Sequence, residues 1–271
     1  MGSLINSLID VDTSRNNLFT KVKYKGNNLL FKKVSNGLSL VRFLKTSNNE
    51  IDIPLTINDG TEKKTIESIE PHALEGRNLE KITINAKAIY SGGMGVNNTT
   101  SIIEIGRNVN QIDVNFNPYS KDYKMVIDKD NTKYFADEGI LYENNNENCK
   151  LFLVFKTLTG NIELKGKING KNVTEISYSA FSGQEKVISI KIPNTITTIR
   201  DQAFYNCISL KKIEIPSTVK IIENSAFYNC SSLDAGADNG TGGIRIDNTK
   251  NVITGAPWGA RKGDRAVKWL R

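Results

Sequence analysis

One stretch of this chain is written twice, 23 residues apart. Ile199-Arg-Asp-Gln-Ala203-Phe204-Tyr-Asn-Cys207-Ile-Ser-Leu210-Lys-Lys-Ile213-Glu-Ile215-Pro216-Ser-Thr-Val219 is followed by Ile222-Glu-Asn-Ser-Ala226-Phe227-Tyr-Asn-Cys230-Ser-Ser-Leu233. A third copy lies one period upstream, where Ile176, Ala180-Phe181, Ile192-Pro193 and Ile196 hold the places of Ile199, Ala203-Phe204, Ile215-Pro216 and Val219. A fixed period of this length is the mark of a solenoid.

A solenoid coil cannot bury its own apolar side; only the next coil, about 4.8 Å along the stack, covers it. The Ile-x-Ile pairs alternate inward and outward as a strand does, so they are the strand positions and stack into a parallel sheet. Proline after the pair has no amide hydrogen to give and ends the strand. The Ala-Phe segment has room for one helical or 3-10 turn, with its Phe as the inward plug of each coil.

Degenerate copies reach toward the N-terminus. Ile66, Ile69, Ala73-Leu74, Leu79, Ile82 and Ile84 keep the order with one residue deleted. Ile103-x-Ile105 with Val109 and Ile112, and Ile51-x-Ile53-Pro54 with Ile57, repeat the spacing again. Two stretches depart from it: Tyr134-Phe-Ala-Asp-Glu-Gly139-Ile-Leu-Tyr142 with Leu151–Phe155, and Leu29 to Phe43. Both read as hairpins, the second at the solenoid end that needs a lid.

Lys+Arg 36 against Asp+Glu 29 gives a formal charge of +7, so anionic surfaces attract the chain at low salt. The basic residues are scattered between strands rather than massed, which argues against nucleic acid and leaves an anionic cell-wall polymer as a partner. No run reaches the roughly 18 apolar residues of a membrane span, so no membrane insertion is expected. The opening residues lack the basic start, apolar core and small-residue cleavage site of an export signal. Cys149, Cys207 and Cys230 form no CxxC pair, and Cys207 and Cys230 share one repeat phase, so they read as buried free thiols.

The I-x-x-x-A-F-x-x-C-x-S-L-x-x-I-x-I-P-x-x-V pattern, with the Asp137-Glu-Gly-Ile-Leu-Tyr142 insertion, resembles the BspA-like leucine-rich repeats of bacterial, protozoan and phage surface proteins. The resemblance runs from about Asn28 to Ile246 and is strongest over 173–233. It implies an α/β solenoid, mostly β: a right-handed coil with a parallel β-sheet on its concave face, short helical or 3-10 turns opposite, a β-hairpin insertion and end caps. It divides the chain into an N-terminal attachment segment (1–20), a β-hairpin cap (21–60), the leucine-rich repeat solenoid (61–246) with a hairpin insertion at 121–156, and a C-terminal cap (247–271). It brings roles in adhesion, host-surface binding or particle architecture, and no catalytic residue or cofactor.

Candidate chemistry is sparse. His72, the only histidine, precedes Ala73 in a turn and has no nucleophile paired with it by spacing. Asp128-Lys-Asp130-Asn131 hints at a calcium loop, but Thr132 and Lys133 break the register and a turn explains it better. Ser91-Gly-Gly-Met-Gly95 lacks a phosphate-cradle pattern, and Asn97-Asn-Thr-Thr100 and Asn172-Val-Thr174 match glycosylation acceptors. No residue set fits a metal or a catalytic role. Tyr205 and Tyr228, at equivalent positions, are binding candidates as an aromatic ladder, or else a shield over the turn. Trp258 and Trp269 are candidates as a carbohydrate-stacking platform, or else a lid on the last coil.

The resulting expectation is a non-enzymatic structural and recognition protein of a phage or phage-like particle, on its tail, fibre or baseplate. Its partners are neighbouring subunits or a host-surface receptor, with self-association into a homo-oligomer allowed. The alternative is a bacterial cell-surface or secreted adhesin module. An envelope hydrolase, the third class, finds no paired carboxylates, metal set or triad.

Overall fold

Every turn of the chain leaves half its backbone groups pointing along the stack, so strand ladders between coils dictate the architecture. The computed structural model describes residues 18–45, 49–74, 79–90, 100–113, 123–233, 243–247, 258–259 and 267–270, with backbone alone for 45 and 267–270. The chain forms two compact units, the first holding the described residues through Asn131 and the second those from Thr132 onward.

In the first unit, β1 (Phe19–Tyr24), β2 (Asn27–Val34) and β3 (Gly37–Lys45) make an antiparallel meander. There follow β4 (Glu50–Ile53), β5 (Thr56–Asn58), β6 (Lys63–Ile69), β7 (Lys81–Ile84), β8 (Ala88–Ile89), β9 (Ile102–Ile105), β10 (Gln111–Ile112) and β11 (Lys124–Ile127). One parallel ladder runs β3-β6-β8-β10 and another β4-β7-β9-β11, while β5 hairpins onto β6.

The second unit uses the same strand order. β12 (Tyr134–Asp137), β13 (Ile140–Asn145) and β14 (Asn148–Val154) form its meander. β15 (Gly160–Glu163), β16 (Lys167–Ile168), β17 (Lys171–Ile176), β18 (Val187–Lys191), β19 (Thr198–Ile199), β20 (Lys212–Ile215), β21 (Ile221–Ile222), β22 (Gly243–Asp247) and β23 (Val267–Leu270) complete it. β14-β17-β19-β21 and β15-β18-β20-β22-β23 are its parallel ladders, and β16 hairpins onto β17 as β5 does onto β6. The opening hairpin and the Tyr134–Val154 elaboration are thus one device used twice. Their first turns match: Lys25-Gly26 and Glu138-Gly139 both hold positive φ, 47° and 79° against 47° and 89°, the type I′ geometry in which the second residue favours glycine.

The expected sheet is present, and a second one accompanies it. The short Ile-bearing pairs opposite the Ile-x-Ile strands also bond coil to coil, as in Glu175↔Thr198↔Ile221 and Ile176↔Ile199↔Ile222. Ile176, Ile199 and Ile222 recur at the 23-residue period, but two residues per coil show no alternation that would mark them as strands. The Ala-Phe segments are neither strand nor helix. Overlapping four-residue turns (Ala203 N to Arg200 O, Tyr205 N to Gln202 O, Cys207 N to Phe204 O) are interrupted by left-handed residues at Gln202 and Asn206. Gly183, Asn206 and Asn229 hold that conformation at one repeat position, and small polar or glycine residues tolerate it best.

The core of the second unit is a column. Phe181 and Phe204 stack at 5.1 Å and Phe204 and Phe227 at 5.3 Å, all fully buried. Their amides step up the stack as well: Phe181 N donates to Ala203 O, Phe204 N to Ala226 O, and Phe227 N to Trp258 O. The thiols follow the same logic. Cys207 Sγ donates to Phe181 O at 3.2 Å and Cys230 Sγ to Phe204 O at 2.9 Å, and both cysteines are free and buried.

Candidate functional site

An Ile-x-Ile strand that buries its isoleucines must present its intervening residues on the other side. In the first unit those residues are Glu50 and Asp52 on β4, Lys81 and Thr83 on β7, and Glu104 on β9, brought level by the register Glu50↔Lys81 and Asp52↔Thr83↔Glu104. The β1–β2 turn adds Lys25 and Asn27, and together these side chains line an open trough of about 420 Å³. In the second unit Asn161 and Glu163 on β15, Ser189 and Lys191 on β18, and Lys212 and Glu214 on β20 line another, of about 280 Å³. The two troughs lie on equivalent strands of the repeated topology.

Both are built from paired charges. In the first, Lys25 Nζ sits 2.5 Å from Asp52 and Lys81 Nζ 2.8 Å from Glu104, which also accepts from Thr83 Oγ1 at 2.8 Å. In the second, Lys191 bonds Glu163 at 2.7 Å, Lys212 pairs with Glu214, and Ser189 and Asn161 share a 2.7 Å hydrogen bond. The hydrogen bond from Lys81 holds the Glu104 carboxyl below the ordinary range, and that from Lys212 does the same to Glu214. Reciprocally, Asp52 raises Lys25, Glu104 raises Lys81 and Glu163 raises Lys191. These shifts favour the charged forms of Glu104, Glu214, Lys25, Lys81 and Lys191.

Tyr205 and Tyr228 stack at 5.7 Å with ring planes 4° apart, and Tyr228 is 52% exposed. Trp258 is elsewhere: at 2% exposure it belongs to the apolar core that contains the Phe column. The backbone of Trp269 pairs with Ile246; its side chain lies outside the described residues. On the other sheet Arg200 bridges two coils, donating to Glu175 at 2.7 Å and Glu223 at 2.9 Å, and both bonds push the guanidinium further up.

The remaining candidates resolve into structure. His72 is an exposed turn residue with φ 62°, in the place before Ala73 that Ser179 and Gln202 fill before Ala180 and Ala203. Asp128 and Asp130 face Arg107, and Asn131 Nδ2 donates to Gly106 O and Val109 O, so this loop ties coils together. Among the described residues no group of three or more His, Cys, Asp or Glu could hold a metal ion, and no helix is long and apolar enough to cross a membrane. Ser91–Gly95 and Asn97–Thr99 fall outside the described residues; Thr100 is buried and donates to Leu79 O, and Asn172–Thr174 lies in β17. The trough residues escaped sequence reasoning because a charged x in Ile-x-Ile looks like any solvated face. The signal was there in Glu-Ile-Asp-Ile, Lys-Ile-Thr-Ile and Lys-Ile-Glu-Ile, read across coils rather than along them.

Residues 159–236 match the BspA type leucine rich repeat region in six copies. No curated protein matches the chain. Solved structures similar to it include a leucine rich cell surface protein from Faecalibacterium prausnitzii A2-165, at 14% identity over 89% of this chain and 97% of that one, with a TM-score of 0.28. The pneumococcal vaccine antigen PcpA is another, at 11% identity over 87% and 84%, TM-score 0.42. A leucine-rich repeat protein from Eubacterium ventriosum aligns at 16% identity over 84% and 72%, TM-score 0.45.

Proposed function

From the premise that residues 159–236 are BspA-type leucine-rich repeats, we propose that the chain is a non-enzymatic binding module of a cell surface. It holds its partner on the outward side of its strands. The observation that carries this reading is the division of labour in each unit: the isoleucines of the Ile-x-Ile strands are sealed inside, while the intervening Asp52, Thr83 and Glu104 of the first unit and Lys191 and Glu214 of the second line an open polar trough. In this reading the coil is right-handed with the trough-bearing sheet on its concave side, and the partner is a surface protein or a wall polymer. A place on a phage tail, fibre or baseplate draws no support from the family match, and the adhesin alternative accounts better for it.

The test is binding of the labelled chain to intact bacterial and host cells. Saturable binding, with no product released from cell walls incubated with the chain, is the expected outcome. Absence of saturable binding on every surface tried, or release of wall fragments, overturns the reading.

A further inference from the structure

The two troughs share a composition as well as a position, and that composition selects a ligand class. Each holds two lysines, at least two carboxylates, one asparagine and one hydroxyl side chain. An apolar partner would have to bury these ion pairs, which costs more than their mutual attraction returns. An anionic partner would meet carboxylates, three in the first trough and two in the second, beside lysines that are already engaged. The second trough balances two lysines against two glutamates, so a cationic partner gains nothing there.

Spare hydrogen-bonding capacity is what remains. An ionised carboxylate offers about four lone-pair sites and an ammonium three donors, and an ion pair uses only one or two of them. A hydroxyl group both donates and accepts. It can satisfy the unused lone pairs of Glu163 or Asp52 and the unused hydrogens of Lys191 or Lys25 without breaking the pair between them. The pairs also bias these exposed side chains toward one geometry, which lowers the rotamer freedom lost on binding.

We propose that these troughs are two equivalent sites for a neutral polysaccharide, one in each unit, with Asp52, Thr83 and Glu104 contacting sugar hydroxyls in the first and Glu163, Lys191 and Glu214 in the second. The inference rests on the reading of the chain as a surface-binding module and names the ligand of that module. The alternation of acceptor and donor in each row (carboxylate, then hydroxyl or ammonium, then carboxylate) spans three coils in each unit, a length that presents polar groups side by side to an extended chain of like sugars.

Affinity electrophoresis through gels carrying dextran, mannan, or N-acetylhexosamine oligomers tests it, with an anionic teichoic acid gel alongside. Retardation by at least one neutral polymer, persisting at about 0.5 M salt where surface electrostatics are screened, is expected. Calorimetry with short oligosaccharides should show two sites in the native chain and one in either Glu104→Gln or Lys191→Met. Each variant should weaken binding at its own site roughly tenfold or more, the size of a lost charge-assisted hydrogen bond, leaving the other site to hold about half of the retention, and the double variant should remove nearly all of it. The exposed Lys220→Met should change nothing. Retention by no neutral polymer, retention only on teichoic acid and lost in salt, or full retention in the double variant overturns the proposal. If cell binding nevertheless persists, the module reading stands and only the ligand falls.

Discussion

The two units are assembled from strands in the same order, yet they hold register by different means. In the second, coils 23 residues apart place core and turn side chains on their own counterparts: Asn229 on Asn206, Tyr228 on Tyr205, Phe227 on Phe204. In the first, the spacing contracts to 20 and 21 residues at Lys87–Glu67 and Thr83–Glu104, and unlike residues meet. Side-chain bonds to backbone that recur at no period tie the coils there: Thr100 Oγ1 to Leu79 O, and Asn131 Nδ2 to Gly106 O and Val109 O, whereas those of Cys207 and Cys230 in the second unit repeat at 23 residues. An identical topology thus tolerates either a periodic ladder or bespoke ties. What the topology requires is only that each coil's amides and apolar side find a neighbour.

If the ladder is what holds the second unit, its middle rung should be the most costly residue to remove. Phe204→Ala leaves a cavity between two stacked rings, and the expected loss is about 3–5 kcal/mol. Denaturant unfolding reads this as a lower midpoint at constant slope. Asn131→Ala probes the other means. Asn131 is 9% exposed, and its loss takes the side-chain donor from Val109 O and leaves Gly106 O with Val109 N alone, for about 1–3 kcal/mol. A cost for Asn131→Ala equal to or above that for Phe204→Ala would break the contrast between the units.

The same contrast governs what could be read from sequence. The 23-residue period located the Phe column, the thiol slots and the Ile-x-Ile strands because like residues recur at like places. It did not disclose that the fold is built twice, since the two meanders share strand order and turn geometry but few residues: Asn27-Asn-Leu opens β2 where Ile140-Leu-Tyr opens β13. Tyr205 and Tyr228 do stack, since their phase is the period itself. Trp258 was legible as a lid by its position after the last coil and as a platform by its chemistry, and its burial places it inside. The troughs were hidden because their pairing runs between coils, at Lys191–Glu163 and Lys81–Glu104, where no local pattern along the chain records it.

The finest distinction between the units concerns acid. The β5–β6 hairpin of the first closes on Asp59, whose Oδ1 accepts from Thr61 Oγ1 at 2.6 Å, Thr61 N at 2.9 Å and Glu62 N at 3.1 Å. The Thr61 hydroxyl, followed by the two amides, lowers the carboxyl from its ordinary 3.8 to about 2. The equivalent β16–β17 hairpin turns at Asn169-Gly170, both with positive φ, and has no carboxylate in its turn. A depressed folded-state pKa means that the contribution of Asp59 is complete above its unfolded value near 3.8 and is lost as pH falls through about 2. NMR titration should therefore find Asp59 still ionised at pH 3, and Thr61→Val should move its midpoint upward. Amide exchange around Thr61 and Glu62 should quicken between pH 4 and pH 2 relative to the change at Lys171, because one turn depends on a charge and the other on backbone conformation alone. Equal quickening at both turns would show that the hairpins, for all their different residues, respond to acid as one.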